Sequence, residues 1–402
     1  MRDGLKGPRL WILTMLLILL TAVTGCSSSA DPAKTSSVPP ESEPVTEVAA
    51  EDNLIIPTYN CACYYGGLLY YLNQPLGAAP ARIYYIDPET GENGILCGKP
   101  DCTHDSYDCG ACIDSNGHGF TIYQDKIYWY TKSVGDKKLM CENLDGTNRR
   151  ELMSLDKDFE WFVADKSFIG IYNDTLYRCG DGPAVKEGDP SDNMLLYCQP
   201  LQKGSEPKEL YSVQNVYSEA ARIYGNQLYF AVVGADNDLS ICVCDLDSGE
   251  IKELFHKDQA DNTPLDIAVH DNKLILHGFG TCVSIYSLEG DSYTVIGEEG
   301  HNYQWATETK IFEVVSRTEY RLLELNGALI TEGNVDIPGL RDDFLMWQCL
   351  GSIKDKMLFL YTYLAESAVV SGSAWHNYIV SFDTDTLEWK ILWDGISDYE
   401  GM

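Results

Sequence analysis

Short runs of alternating apolar and polar residues, rich in Tyr, Ile, Val and Leu, follow one another from Leu54 onward. Gly, Asn and Asp interrupt these runs at short intervals, and no long stretch has the 3.6-residue spacing of an amphipathic helix. Such alternation is typical of β-strands that are joined by tight turns. The sequence therefore predicts an all-β domain over residues 54–402.

One turn pattern recurs through this domain: a ring or apolar residue, three turn-forming residues, and an aliphatic anchor that an aromatic residue usually follows. The seven anchors are Leu69, Ile127, Leu176, Leu228, Leu274, Ile311 and Met357. A second turn follows each anchor, as at 87–91 and 247–249. Each unit therefore holds two hairpins and four strands. In the second unit the strands are expected near 119–123, 127–132, 138–143 and 149–153.

Four strands in each unit of about 40–50 residues, repeated along the chain, are typical of a β-propeller. A single blade cannot bury both of its faces, whereas neighbouring blades in a ring can. Seven units predict seven four-stranded antiparallel blades. Six or eight blades are the alternatives, because the 37-residue spacing before Ile311 is short. A series of β-sandwich domains would not repeat the paired turns seven times.

The second unit also carries a sequence resemblance. It contains the run IYWYT at 127–131 and the run NLDGTNRREL at 143–152. These runs resemble the YWTD-type β-propeller of low-density-lipoprotein-receptor-related proteins, and bacterial lipoproteins that carry a similar domain. Other units match loosely, such as LYF at 228–230, and six blades are usual in that family. The resemblance implies a non-enzymatic binding domain without indicating a ligand.

The first 25 residues have the features of a lipoprotein signal peptide. A basic start with Arg2, Lys6 and Arg9 precedes a fourteen-residue apolar run at 10–23, which is too short to span a bilayer as a helix. The sequence Val-Thr-Gly then precedes Cys26. We expect cleavage before Cys26 and acylation of its thiol, for example by palmitate. An ordinary secretory signal with an incidental Cys is the alternative.

Residues 26–53 are rich in Ser, Pro and Glu and are expected to form a flexible tether between this lipid and the domain. The predicted location is the outer face of the bacterial cytoplasmic membrane. The chain has 29 Lys and Arg against 61 Asp and Glu, a formal charge of −32. Cleavage removes a net +2 and leaves −34. This charge argues against a nucleic-acid partner and against electrostatic attachment to anionic lipid.

A cysteine-rich segment ends the first unit and contains Cys97, Cys102, His104, Cys109 and Cys112. Cys102, His104, Cys109 and either Cys97 or Cys112 would suit a tetrahedral zinc ion. Two disulfides among the four Cys are the alternative, and the predicted extracytoplasmic location favours them. In either form the segment would pin an irregular loop. We expect the loop to cross the propeller face near the mouth of the channel.

The sequence contains no Gly-x-Ser-x-Gly, His-Glu-x-x-His or phosphate-loop motif, so no catalytic residue is predicted. Five aromatic residues near unit junctions are candidates for stacking on a ligand: Trp161, Trp305, Trp347, Trp375 and Tyr378. Filling the wedges between blades is their alternative role. The expected function is binding or scaffolding of a peptide, protein or glycan. A propeller-based glycan hydrolase or lyase is the alternative.

Overall fold

The structure is a computed structural model of the 402-residue chain. It describes residues 62–73, 80–99, 101–114, 119–131, 138–154, 168–182, 193–214, 216–217, 220–234, 237–260, 264–278, 283–290, 292–296, 304–316, 318–337, 340, 346–364 and 375–397. Cys26, the predicted signal peptide and the tether lie outside these residues. The described ranges contain strands, turns and connections but no helix. A helix long and apolar enough to cross a membrane is accordingly not found among them.

Within the described residues, thirty strands form seven antiparallel sheets, one for each sequence unit. Blade one contains β1 (Ala62–Tyr65), β2 (Leu68–Asn73), β3 (Ala81–Ile86), β4 (Asn93–Ile95) and β5 (Cys112–Ile113); blade two contains β6 (Phe120–Tyr123), β7 (Lys126–Tyr130), β8 (Lys138–Asn143) and β9 (Arg150–Ser154). Blade three contains β10 (Phe168–Tyr172), β11 (Thr175–Gly182), β12 (Asn193–Pro200) and β13 (Lys208–Gln214); blade four contains β14 (Val216–Tyr217), β15 (Ala221–Tyr224), β16 (Gln227–Gly234), β17 (Leu239–Asp245) and β18 (Ile251–Lys257). Blade five contains β19 (Pro264–His270), β20 (Lys273–Gly278), β21 (Val283–Ser287) and β22 (Ser292–Ile296); blade six contains β23 (Gln304–Ala306), β24 (Lys310–Val314), β25 (Glu319–Glu324) and β26 (Leu329–Asn334). Blade seven contains β27 (Met346–Ile353), β28 (Lys356–Leu364), β29 (Trp375–Asp383) and β30 (Glu388–Ser397).

The prediction of a β-propeller with seven four-stranded antiparallel blades is confirmed. In blade two the observed strands begin and end within two residues of the predicted bounds. Blades one and four each contain five strands because one strand is interrupted. β4 and β5 both pair with β3, and β14 and β15 both pair with β16.

The recurrent sequence pattern corresponds to the first hairpin of each blade. Its turn residues adopt positive φ angles at several positions, for example 45° at Asn173 and 54° at Asp174. Asn, Asp and Gly tolerate this left-handed conformation better than other residues do. All seven aliphatic anchors are fully buried, which explains why an apolar residue recurs at that position: Leu69, Ile127, Leu176, Leu228, Leu274, Ile311 and Met357.

The first strands of the blades surround the axis of the ring. Close neighbours among them are β1 and β6, β6 and β10, β10 and β15, and β15 and β19. Because each sheet is a simple meander, the fourth strands form the outer rim. The two turns within each blade that join strand one to two and strand three to four therefore lie on one face, here called the turn face.

Among the described residues, the core consists of seven apolar clusters, and each cluster joins two consecutive blades. In one cluster, Trp129 of blade two packs with Ile83 and Ile113 of blade one. In another, Phe312 of blade six packs with Phe359 of blade seven, with ring centroids 5.3 Å apart. Burial of such surface between blades is the main apolar contribution to the stability of a ring.

The ring closes between blades seven and one by side-chain packing. Leu69 and Ile86 of blade one share a buried cluster with Leu358 and Ile379 of blade seven. Every sheet is built from one continuous stretch of sequence. Among the described strands, blade one therefore contains none from the C-terminal part of the domain, and blade seven contains none from the N-terminal part. An ion pair of 2.5 Å between Lys356 Nζ and Glu89 joins the same blades at the turn face.

Hydrogen bonds also connect neighbouring blades at the turn face. Tyr65 Oη donates to the Asp125 carboxylate at 3.1 Å, and the Asp174 N–H donates to Tyr123 Oη at 3.2 Å. Tyr65 and Tyr123 are the ring residues that begin the recurrent pattern. The aromatic residue of the repeat therefore links its own turn to the next blade.

Candidate metal centre

The cysteine-rich segment interrupts the outermost strand of blade one. The Leu96 N–H donates to Ile83 O, and the Ile83 N–H donates to Ala111 O, each at 2.9 Å. The ladder therefore continues from β4 into β5 along the edge of β3. Residues 97–110, here called the cysteine loop, leave the strand and return to it at the position of Ile83.

This position corrects the expectation that the segment crosses the propeller face near the channel mouth. That expectation treated the insert as the connection from the fourth strand of blade one to the first strand of blade two. Because β5 resumes the fourth strand before the chain reaches β6, the cysteine loop belongs to the outer rim.

Short turns fold the cysteine loop back on itself. The Cys102 N–H donates to Lys99 O at 3.4 Å, and the Cys109 N–H donates to Ser106 O at 3.0 Å. The Lys99 ammonium crosses the loop to Asp108 O at 2.6 Å. As a result, the ligand atoms of four residues all lie within 4.8 Å of one another: Cys97, Cys102, His104 and Cys109.

This donor set can hold a metal ion. Three sulfurs and one imidazole nitrogen match the ligands of tetrahedral structural zinc sites, in which adjacent ligand atoms are about 3.8 Å apart. His104 Nδ1 lies 3.2 Å from Cys109 Sγ. The arrangement therefore needs only small adjustments to surround one ion.

Cys112 lies outside this group. It belongs to β5, and its thiol donates to His104 O at 3.3 Å. Of the two sequence-derived choices for the fourth ligand, the structure thus groups Cys97 with the other three. Cys97, Cys102, Cys109 and Cys112 are all free thiols. Three of these sulfurs converge with an imidazole, which favours the metal ligand set, and the pair of disulfides stays a prediction.

The backbone of the loop directs N–H groups at two of the sulfurs. A hydrogen bond from the His104 N–H lowers the pKa of Cys102. The Ala111 N–H donates to Cys109 Sγ at 3.3 Å, but burial raises the pKa of that thiol. Burial, with the nearby positive charge of Arg82, lowers the pKa of His104. The neutral imidazole that binds metals is therefore favoured.

Two of the five candidate aromatic residues are buried between blades, and the side chains of the other three are not described. Trp305 and Tyr378 are buried in the cluster between blades six and seven, where the Trp305 ring packs 5.6 Å from Phe359. These two residues therefore fill the wedge between blades and are not exposed for stacking on a ligand. Trp347 and Trp375 belong to β27 and β29, but their side chains lie outside the description, as does all of Trp161.

A second set of buried polar groups links blades four, five and six. Arg222 donates to both carboxylate oxygens of Asp266 at 2.9 Å. Gln304 donates to Glu313 at 3.0 Å, and its backbone carbonyl bonds to His277 Nε2. No sequence motif indicates this set, because Arg222 and Asp266 are 44 residues apart on different blades. The paired charges compensate one another, so we interpret the set as structural.

No protein-family model and no curated protein matches this sequence. Solved structures are similar in fold. One of two prolyl endopeptidases studied for interdomain dynamics has a TM-score of 0.53 at 11% identity, covering 88% of this chain and 51% of that chain. A puromycin hydrolase also has a TM-score of 0.53 at 11% identity, covering 89% and 56%.

BamB from Moraxella catarrhalis has a TM-score of 0.42 at 10% identity, covering 76% of this chain and 80% of that chain. The chain spans about half the length of the endopeptidase and hydrolase chains that it matches. At 11% identity, the endopeptidase and the hydrolase establish similarity of fold alone. The molecule is therefore a seven-bladed β-propeller with a candidate metal centre on the rim of blade one.

Proposed function

We propose that this protein is a lipid-anchored binding module on the outer face of the bacterial cytoplasmic membrane. Acylation at Cys26 would insert a lipid into the bilayer, and residues 27–53 would separate the propeller from the membrane. The propeller would bind a peptide, a protein or a glycan without converting it chemically.

The observation that carries this proposal is the difference between the two faces of the ring. The turn face is closed by short turns, such as 173–174 and 271–272. At the opposite face, here called the loop face, second and third strands of three blades end far apart in sequence. The pairs of strand ends are Tyr130 and Lys138, Gly182 and Asn193, and Leu364 and Trp375. A rigid scaffold with long connections on one face is a common arrangement for recognition. Trp375 begins β29 at this face and remains a candidate contact.

We further propose that the centre formed by Cys97, Cys102, His104 and Cys109 holds a structural zinc ion. The site lies on the rim rather than at the axis, and all four positions are taken by protein ligands. Closed four-ligand sites of this kind stabilise loops and leave no position for a substrate. Zinc would therefore order the cysteine loop rather than take part in ligand conversion.

Binding is tested with the full chain, isolated in detergent from the membrane of a bacterial host, against a panel of peptides and soluble glycans. We expect saturable binding of at least one probe without product formation. Replacement of 365–374 by a short Gly-Ser linker should abolish this binding, whereas Glu289→Gln on the turn face should preserve it. Product release would instead support a glycan hydrolase or lyase, and failure to bind any probe would overturn the proposal.

The anchor is tested separately in the same host. Wild-type protein should incorporate labelled palmitate and sediment with the membrane fraction. Cys26→Ala should lose both properties, while Cys112→Ser should retain them. Retention of the label by Cys26→Ala would show that Cys26 is not the lipidated residue.

The zinc centre is tested by metal analysis of the full chain purified without oxidant or chelator. We expect one zinc ion per chain, and its loss in Cys102→Ser. Cys112→Ser is the matched control and should keep the ion, because Cys112 lies outside the ligand set. Absence of zinc from the wild-type chain, together with protection of four thiols against alkylation until a reductant is added, would support the disulfide alternative.

A further inference from the structure

The guanidinium of Arg149 joins blade two to the cysteine loop. Its Nη1 donates to Tyr107 O and to Cys112 O, each at 2.8 Å, and its Nη2 donates to Gly110 O at 3.0 Å. Arg149 follows the turn between the third and fourth strands of blade two. One side chain therefore binds three backbone carbonyls of the neighbouring blade.

These three carbonyls lie on both sides of one metal ligand. Tyr107 precedes Cys109 by two residues, whereas Gly110 and Cys112 follow it. Fixing the carbonyls fixes the path of the backbone that carries Cys109, which is the most deeply buried of the four ligands. Arg149 thus holds the backbone on both sides of the ligand Cys109.

The guanidinium is itself held in place. Its Nε donates to Glu142 Oε2 at 2.8 Å, and Glu142 is fully buried. Its Cζ lies over the ring of Trp129, 5.2 Å from the ring centroid. Arginine can donate hydrogen bonds to the carboxylate and to the carbonyls at the same time, because its N–H donors form a rigid planar fork. Lysine has no such fork.

The same two segments also touch through their backbones. A Cβ atom at Gly110 would lie only 2.5 Å from the Cα of Gly146, in the turn that precedes Arg149. Only glycine fits at this position without displacing the loop. A Cβ at Gly98 would by contrast lie 3.7 Å from Asp145 O, which is ordinary contact.

From these contacts we propose that Arg149 is a positioning residue for the metal centre and couples metal binding to the junction between blades one and two. This inference rests on the zinc centre proposed above. With Arg149 in place, the loop is organised for the ion before the ion binds. Partners outside the ligand set typically change metal affinity by about 10–100-fold when they are removed.

The test measures zinc affinity of the full chain by competition with a chromophoric chelator, and the visible spectrum of the cobalt-loaded protein. Arg149→Lys should weaken zinc binding about tenfold or more and alter the cobalt bands, while the stoichiometry stays at one. Arg150→Lys is the matched control, because Arg150 is exposed and adjacent in sequence. The control should leave both readouts unchanged.

A second pair of variants tests the junction with Arg149 intact. Gly110→Ala should weaken zinc binding because it separates the loop from blade two, whereas Gly98→Ala should not. Equal affinity in wild type, Arg149→Lys and Gly110→Ala would overturn the inference while leaving the zinc centre standing. A wild-type chain that binds neither zinc nor cobalt would overturn both proposals.

Discussion

At the residue scale, the charge of Glu142 depends on its burial. Burial raises the pKa of this carboxyl to about 7, even though its partner Arg149 acts in the opposite direction. A group whose pKa is raised by folding retains its proton in the native state over a range where the unfolded chain has lost it. The contribution of Glu142 to the free energy of unfolding therefore falls as the pH rises from about 4.5 to about 7.

Glu142→Gln should remove this pH dependence. The free energy of unfolding of the variant, relative to wild type, should increase between pH 5 and pH 8 by at most about 3 kcal/mol. Denaturant titrations at several pH values provide the measurement. A difference between the two proteins that stays constant over this range would show that Glu142 is ionised throughout.

Individual residues were predictable only where their neighbours in sequence decide their environment. The seven anchors belong to local hairpins, so the repeat located the hairpins to which they belong. Trp305 and Tyr378 face another blade, and their burial depends on side chains such as Phe359 that are distant in sequence. The choice of Cys97 over Cys112 likewise depends on β5, a two-residue strand without a sequence signal of its own.

At the element scale, an Asp carboxylate closes several of the turns between third and fourth strands. Asp245 Oδ1 accepts hydrogen bonds from the Asp247 N–H at 3.2 Å and the Ser248 N–H at 2.8 Å. Asp87 and Asp383 accept the equivalent pairs of N–H groups. These donors favour the ionised carboxylate and lower the pKa of Asp245. Turn chemistry therefore accounts for acidic residues that resemble cation ligands in the sequence.

Asp245→Ala should destabilise the protein at neutral pH, because the turn loses an acceptor for two N–H groups. A lowered native pKa gives stability that is present above the unfolded pKa, near 3.9, and is lost as the pH falls through the native value. The difference in unfolding free energy from wild type should therefore shrink between about pH 5 and pH 3. Asp336→Ala, at an exposed position without such a turn, is the control. If the difference in unfolding free energy between wild type and Asp245→Ala stays the same in acid, the ionised carboxylate does not stabilise the turn in this way.

At the scale of the whole molecule, the junction between blades seven and one should be equivalent to the other six. Leu69 at this junction and Leu276 between blades four and five are both fully buried. Leu69→Ala and Leu276→Ala should each lower the free energy of unfolding by about 2–5 kcal/mol. Urea unfolding should remain a single transition in both variants. An early first transition in Leu69→Ala alone would identify the closing junction as a weak point.

The seven-bladed architecture followed from the sequence because each blade is a local unit with two turns at regular positions. The location of the cysteine loop did not follow from the sequence. In a sequence, an insert within one strand looks the same as a connection between two blades. Closure of the ring was implied by the fold but not by any pattern, because the residues that pack across it, such as Leu69 and Leu358, lie at opposite ends of the domain.

Because each blade is continuous in sequence, the order of synthesis on the ribosome is also the order in which blades are completed. Each new blade covers the apolar face of the blade made before it. The other face of blade one, which carries Leu69 and Ile86, has no neighbour until residues 346–397 have emerged. A chaperone that binds apolar β-surface would therefore find its longest-lived target on the first blade to be made.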